Sequence, residues 1–299
     1  LAKSNTGSRC TSVTPARASP RRWRMPLEFA SVNARYLPRL RALTVLSLRM
    51  FFALPFLLLS AYFAEKKSAT RLTQGELVQI ALLGVTGYYV SSMLDFLGLM
   101  YISAALERLV LFLYPTFVIL ISAILFRIRL RLQHLSALFI TYVGMAVVFQ
   151  QEQALWGGDV RKGGLLVLGC SIGYAAYLVG AGRMIPNVGA QRFNAYSLLS
   201  ATVIIWLHWL VFGRPLHGLP LPVYGYGFLM ATLGTVIPTI LLAKGIALVG
   251  AGPAAILTSI GPVSTVLLAS TLLDEPITTG QALGGVIVLV GVAIITVQR

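Results

Sequence analysis

The sequence predicts an all-α integral membrane protein built as an inverted repeat, and three observations predict it. Of its 299 residues, 57% are hydrophobic and 11% charged, with a mean hydropathy of +0.81. A soluble domain of that length cannot hide so much apolar surface. The apolar residues fall into nine runs, each able to cross a hydrocarbon core of about 30 Å at about 1.5 Å per helical residue. The chain also repeats itself at a spacing of 147 residues. Five spans separate the matched segments, an odd number, so the two halves cross the membrane in opposite senses.

Residues 1–43 form a basic tail rich in Arg, Ser, Thr, Ala and Pro, with Glu28 the single acid before Glu65. Such a composition packs no core and is expected to be irregular or a targeting segment. The spans then fall at 44–63, 77–97, 105–126, 134–150, 163–182, 193–212, 223–243, 253–273 and 280–297. Each is apolar round most of its circumference, as a lipid-exposed helix must be. The first repeat covers 44–150 with four helices, and the second covers 163–299 with five. Short connections carry the turn residues, such as Gly157-Gly158-Asp159 and Arg214-Pro215.

Loop charge orients the bundle. Lys66, Lys67, Arg71, Arg127, Arg129, Arg131, Arg183, Arg192 and Arg299 lie on one side, against Arg161, Lys162 and Arg214 on the other. The first side is therefore expected to be cytoplasmic, with the C-terminus inside. Nine spans then put the tail outside, although it holds nine of the 24 basic residues. Either a hydrophobic helix belongs upstream of this chain or the tail is translocated. The net charge of +15 is spread through the tail and short loops, a membrane pattern that argues against nucleic-acid binding. Cys10 and Cys170 stand apart, and His134, His208 and His217 are scattered, so no metal site and no cofactor is expected.

The organising stretch is Leu106–Leu125, with Glu107 and Arg108 in its first turn and Tyr114-Pro115 near its middle. Its counterpart is Pro253–Leu273, where Gly261-Pro262 takes the place of Tyr114-Pro115. Hydrophobic segments interrupted by proline at corresponding places in two halves point to a transporter's binding site. The same spacing pairs Gly87 with Gly234, Gly98 with Gly245, and Gly144 with Gly291.

Asp95, Glu107 and Arg108 flank a turn near Tyr101 and are expected at similar depth. A charge near the midplane costs roughly 2.5–3.5 kcal/mol on insertion scales, so charges within spans are paired or functional. One reading is a proton- or substrate-coupled cluster; the other is an ion pair that pins two helices. Pro115 and Pro262 each free a carbonyl one turn earlier and are expected to kink their helices and expose polar backbone. Thr258, Gly261 and Thr265 share one helix face, and Tyr88, Tyr89, Tyr174 and Pro238 lie at mid-depth. With Tyr114 they are expected to line a central cavity for amphipathic solutes, the alternative being ordinary helix packing. Lys244 is expected to end its span and snorkel to the interface. Gly169-x-x-x-Gly173 and Gly280-x-x-x-Gly284 suit close helix packing, and the second also suits a homodimer contact.

Three stretches carry a resemblance to a known family. They are SSMLDFLGLMYISAALERLVLFLYPTFVILISAIL (91–125), ALVGAGPAAILTSIGPVSTVLLASTLLDEPIT (247–278) and GQALGGVIVLVGVAIIT (280–296). In these, and over about 44–299, the chain resembles EamA-like transporters of the drug/metabolite superfamily. The resemblance implies ten helices in two inverted five-helix units, both termini in the cytoplasm, and export or exchange of small metabolites. It matches 44–63, which contains Arg49, to the family's second helix, so nine of the ten helices are expected here. A vacancy is then expected opposite Gly163–Gly182. Where the second half carries Asp274-Glu275-Pro276, the first has Arg127-Ile128-Arg129, a departure from the family pattern.

The expected function is that of a secondary carrier in the plasma membrane, moving a small organic metabolite by alternating access with proton coupling. The lipid bilayer and a small-molecule substrate are its expected partners. The alternatives are a non-transporting membrane scaffold or inactive truncated carrier, and, less favoured, a membrane-embedded enzyme. No phosphate loop, nucleophile elbow or HExxH sequence is present to carry catalysis.

Overall fold

The computed structural model describes residues 42–68, 71–127, 159–213 and 215–251, with isolated residues at 139–140, 143–144, 146, 150, 254, 283, 286–287 and 290. Among them, six helices are long and apolar enough to cross a membrane. They correspond to the predicted spans 44–63, 77–97, 105–126, 163–182, 193–212 and 223–243. The predicted spans 134–150, 253–273 and 280–297, the tail 1–41 and the Gly280-x-x-x-Gly284 face lie outside the described residues, wholly or for the most part.

Helix α1 (Ala42–Lys67) carries Pro55 within it. Helix α2 (Gln74–Gly98) starts at a capping box: Thr73 Oγ1 accepts from the Glu76 amide at 3.2 Å, and Glu76 Oε2 accepts from the Thr73 amide at 2.9 Å. Two of the orphan donors of the first turn are thereby satisfied. The predicted single span over 105–126 is two helices, α3 (Ala104–Leu111) and α4 (Tyr114–Phe126). Helix α5 (Val160–Val188) and helix α6 (Ala190–Phe212) meet at Gly189, whose φ of +85° only glycine adopts without strain. Helix α7 (Leu221–Val249) runs on past Lys244, where the span was expected to end. A lysine is a good helix former and leaves a span by extending its side chain, so it need not terminate the helix.

The 147-residue repeat is visible in the packing. Shifted by 147, α1 falls on α6 and α2 on α7. Helices α1 and α6 lie antiparallel along their lengths, α2 packs on α6, and α7 packs on α1. These reciprocal contacts are those an inverted repeat requires. Each half also widens by one π turn at the same place, Val85–Val90 in α2 and Thr232–Val236 in α7. In α7 the cause is Pro238, which has no amide to give the carbonyl four residues back. In both turns a hydroxyl reaches a carbonyl five residues earlier, Ser91 to Thr86 at 2.9 Å and Thr235 to Met230 at 3.0 Å.

Helix α5 is the hub, touching α2, α3, α4, α6 and α7. It approaches α2 through small residues: Gly169 faces Leu94, Gly173 faces Ser91, and Gly163 faces the backbone of Gly98. The packing role expected of Gly169 and Gly173 is thus seen. The core centres on Tyr177, Phe112, Phe193 and Leu198. Phe51, Leu58, Leu82, Ile124, Leu210 and Leu248 point outward, as an apolar surface in contact with lipid requires.

Candidate functional site

Two ends of the bundle differ in chemistry. At the end where α1 finishes and α6 begins, Arg192 is 6% exposed and holds Glu65 with two parallel bonds, Nε–Oε1 and Nη2–Oε2, each 2.8 Å. Ser68 Oγ accepts from Nη1 at 2.8 Å, and the Tyr196 hydroxyl donates to Glu65 Oε1 at 3.1 Å. Loop charge counting had read Arg192 as one more basic residue at an interface. Its fork geometry suits a bidentate carboxylate, and here it clasps two helices.

At the opposite end, near Tyr101, the predicted charged residues come together. Glu107, 1% exposed, sits one turn into α3, whose start is capped by Ser103 Oγ accepting the Leu106 amide at 3.1 Å. Its carboxyl meets that of Asp95 from α2 within hydrogen-bonding reach. Arg108 is 41% exposed, and its Nε lies 3.1 Å from Glu107 Oε2. Adjacent helical residues point in different directions, so the contact is an ion pair without hydrogen-bond alignment. Neither Glu107 oxygen nor Asp95 Oδ1 has a neutral or cationic hydrogen-bond donor. Two carboxyls this close repel one another when both are ionised.

Arg49 joins this cluster, although sequence reasoning used it only as a landmark. It lies seven residues into α1, donates from Nη2 to Ser92 Oγ at 3.2 Å, and stands over the Phe96 ring at 5.9 Å. Its field reaches both Asp95 and Tyr88. A charged residue inside an apolar run was the available signal.

Pro115 stands in the first turn of a new helix where a kink in a continuous one was expected. The reason is local: proline is well suited to a first helical turn and poorly suited to an interior. The carbonyl it frees is that of Leu111, and it is not left bare. Ser171 Oγ lies 3.1 Å from it and 2.9 Å from the Val110 carbonyl.

The predicted tyrosines meet one another. Tyr88 donates to the Tyr177 hydroxyl at 3.1 Å, Tyr174 stacks on Tyr177 at 6.1 Å, and Tyr114 meets Tyr174 edge-on at 5.2 Å. They fill the interface of α2, α4 and α5 because edge-to-face and offset contacts suit aromatic quadrupoles. Tyr89 turns away from them, to His208 Nδ1 at 2.9 Å. A cavity of about 640 Å³ lies beside α6, lined by residues that include Phe51, Trp206, Trp209, His217 and Tyr224. None of the predicted site residues lines it. Thr258, Gly261, Pro262 and Thr265 lie outside the described residues. Sequence reasoning missed Tyr177, Ser171 and the Glu65–Arg192 clasp, which carry no motif.

Membrane-length helices in the reciprocal contacts of an inverted repeat, with buried charges between them and a helix broken within its span, define a multi-pass membrane transporter. The chain belongs to the EamA-like transporter family, which matches residues 29–150 and 161–297. It is 32% identical over 222 residues to the uncharacterized transporter YcbK of Bacillus subtilis (strain 168), covering 71% of this chain and 69% of that one. It is 23% identical to the uncharacterized transporter YyaM of the same organism, covering 76% and 74%. A crystal structure 19% identical in sequence superposes with a TM-score of 0.64, over 90% of this chain and 92% of the other, and shares its fold.

Proposed function

We propose that this protein is a secondary carrier that exports or exchanges a small organic metabolite by alternating access, with the Asp95–Glu107 pair carrying a coupling proton. The observation behind the reading is the contact of two carboxyls from different helices, α2 and α3, of which both Glu107 oxygens and Asp95 Oδ1 are buried without a hydrogen-bond donor. With its shared proton the pair holds the two helices together; without it, like charges push them apart. Helix α3 is joined to α4 by the two residues Phe112-Leu113, so a shift of α3 need not drag α4 with it. The groups facing the pair are Arg108 on α3, Arg49 on α1 and Cys170 on α5. The reading puts the protein in the plasma membrane with its C-terminus in the cytoplasm, supported by the excess of basic loops on that side.

The test is flux in proteoliposomes loaded in turn with labelled amino acids, nucleobases and a cationic dye. Glu107→Gln is expected to abolish flux driven by a pH gradient while leaving exchange at equal pH. Asp95→Asn is expected to do the same less severely. Gradient-driven flux in both variants at wild-type levels refutes the coupling role, and no flux of any solute by the wild type favours a scaffold.

A further inference from the structure

Deepening that reading, and resting on it, we propose that Arg49 is the anchor for the carboxylate of the transported solute, and that the solute is a small organic acid.

The guanidinium is under-employed. Its Nη2 donates to Ser92 Oγ at 3.2 Å, while the Nε–H is buried with no partner. Among the described residues the ion pairs are Arg108–Glu107 and Arg192–Glu65, so no carboxylate lies in contact with Arg49. Arginine stays charged in proteins, so it does not escape burial by losing a proton. The contrast with Arg192 is direct: that side chain uses Nε and Nη2 as a fork on one carboxylate. The same fork on Arg49 has its Nε arm empty and its Nη2 arm on a neutral hydroxyl.

Charge balance points the same way. Arg108 is paired with Glu107, whereas no carboxylate among the described residues lies in contact with Arg49. An anionic ligand offsets such a cation within an apolar span. Phe96 lies beneath the guanidinium at 5.9 Å, and Tyr89, Met93 and Phe96 pack on the fully buried Leu46, Met50 and Ile205. The fork is thus walled by apolar and aromatic side chains, where a charge-assisted bond is little screened by water.

The experiment uses the full chain in lipid nanodiscs, titrated calorimetrically with benzoate and with benzamide, its uncharged isostere. Benzoate is expected to bind at least tenfold more tightly than benzamide. Arg49→Gln is expected to weaken benzoate at least tenfold, to the level of benzamide. Arg49→Lys, which keeps the charge but not the fork, is expected to weaken it about three- to tenfold. The lysine variant keeps the test informative if the glutamine variant fails to fold. Absence of benzoate binding by the wild type, equal affinity for the two probes, or an unweakened variant overturns the proposal. No pH gradient is present in this measurement, so a failure of proton coupling is read separately, in the flux assay.

Discussion

The hydroxyl of Ser171 lies 2.9 Å from the carbonyl oxygen of Val110, across the break between α3 and α4. Leu111 O is 3.1 Å away and Val167 O, one turn back on α5, is 3.0 Å away. A single proton thus serves three carbonyls. Val110 O also accepts the Leu113 amide at 3.1 Å and Val167 O lies in the interior of α5, whereas Leu111 O has lost its helical donor to Pro115. Ser171→Ala is expected to leave the Leu111 carbonyl without its donor. An unmet buried acceptor costs about 1–3 kcal/mol, so the variant should unfold at a lower temperature in detergent. An unchanged unfolding midpoint would show that water or backbone relaxation supplies the missing donor.

Gly87 and Gly234 are equivalent by the repeat but not by their surroundings. A Cβ on Gly87 would stand 2.5 Å from Tyr177 Cβ and Cγ, whereas one on Gly234 would meet nothing within 4 Å. Gly87→Ala is therefore expected to destabilise by about 1–3 kcal/mol through overpacking. Gly234→Ala should be neutral or slightly stabilising, since alanine favours helix. Parallel thermal melts of the two variants check this, and a matched loss in both would contradict the difference in packing.

The clasp between Arg192 and Glu65 is expected to act as a pair. Glu65 is 40% exposed, which screens the interaction and keeps its strength near that of good partly exposed bidentate pairs. A double-mutant cycle with Glu65→Gln and Arg192→Gln should give a coupling of about 1 kcal/mol. Arg192→Lys should fail to restore it, because an ammonium does not reproduce the two parallel bonds. Coupling below about 0.3 kcal/mol would mark the contact as incidental.

A pH series separates the two carboxyls from their neighbours. Flux driven by an imposed gradient is expected in the wild type and lost in Glu107→Gln, whereas Ser92→Ala should keep its gradient dependence. Ser92 touches Arg49 and neither acid in the hydrogen bonds of the cluster. A loss of gradient dependence in Ser92→Ala equal to that in Glu107→Gln would move the coupling role from the carboxyl pair to Arg49.

Much of the architecture was legible in the order of residues. Membrane thickness sets span length, so apolar runs alone marked the six described helices, although two of them, ending at Val188 and Val249, run on well past the expected 182 and 243. Inverted repeats leave matched residues at a constant spacing, so the pairing of Gly87 with Gly234 was legible, whereas the π turns around them were not. The meeting of Asp95 with Glu107 was also readable, because a short turn near Tyr101 brings two helices back at similar depth. Other features depended on contacts between residues far apart in the chain. Arg192 and Glu65 are 127 positions apart, and Ser171 is 61 from Val110; no local pattern announces either bond. The tyrosines were expected at mid-depth from their places in the spans, but that Tyr88, Tyr114 and Tyr174 meet through Tyr177 while Tyr89 turns to His208 depends on how the helices approach one another. Arg49 shows the same division. Its presence in a span declared an expensive charge, while the choice between a paired and an unpaired guanidinium was made by which side chains the tertiary structure brought against it. Hydrophobicity and helix length act along the chain and can be read there; hydrogen-bond partners and close packing are relations across it, and only the folded arrangement of helices decides them.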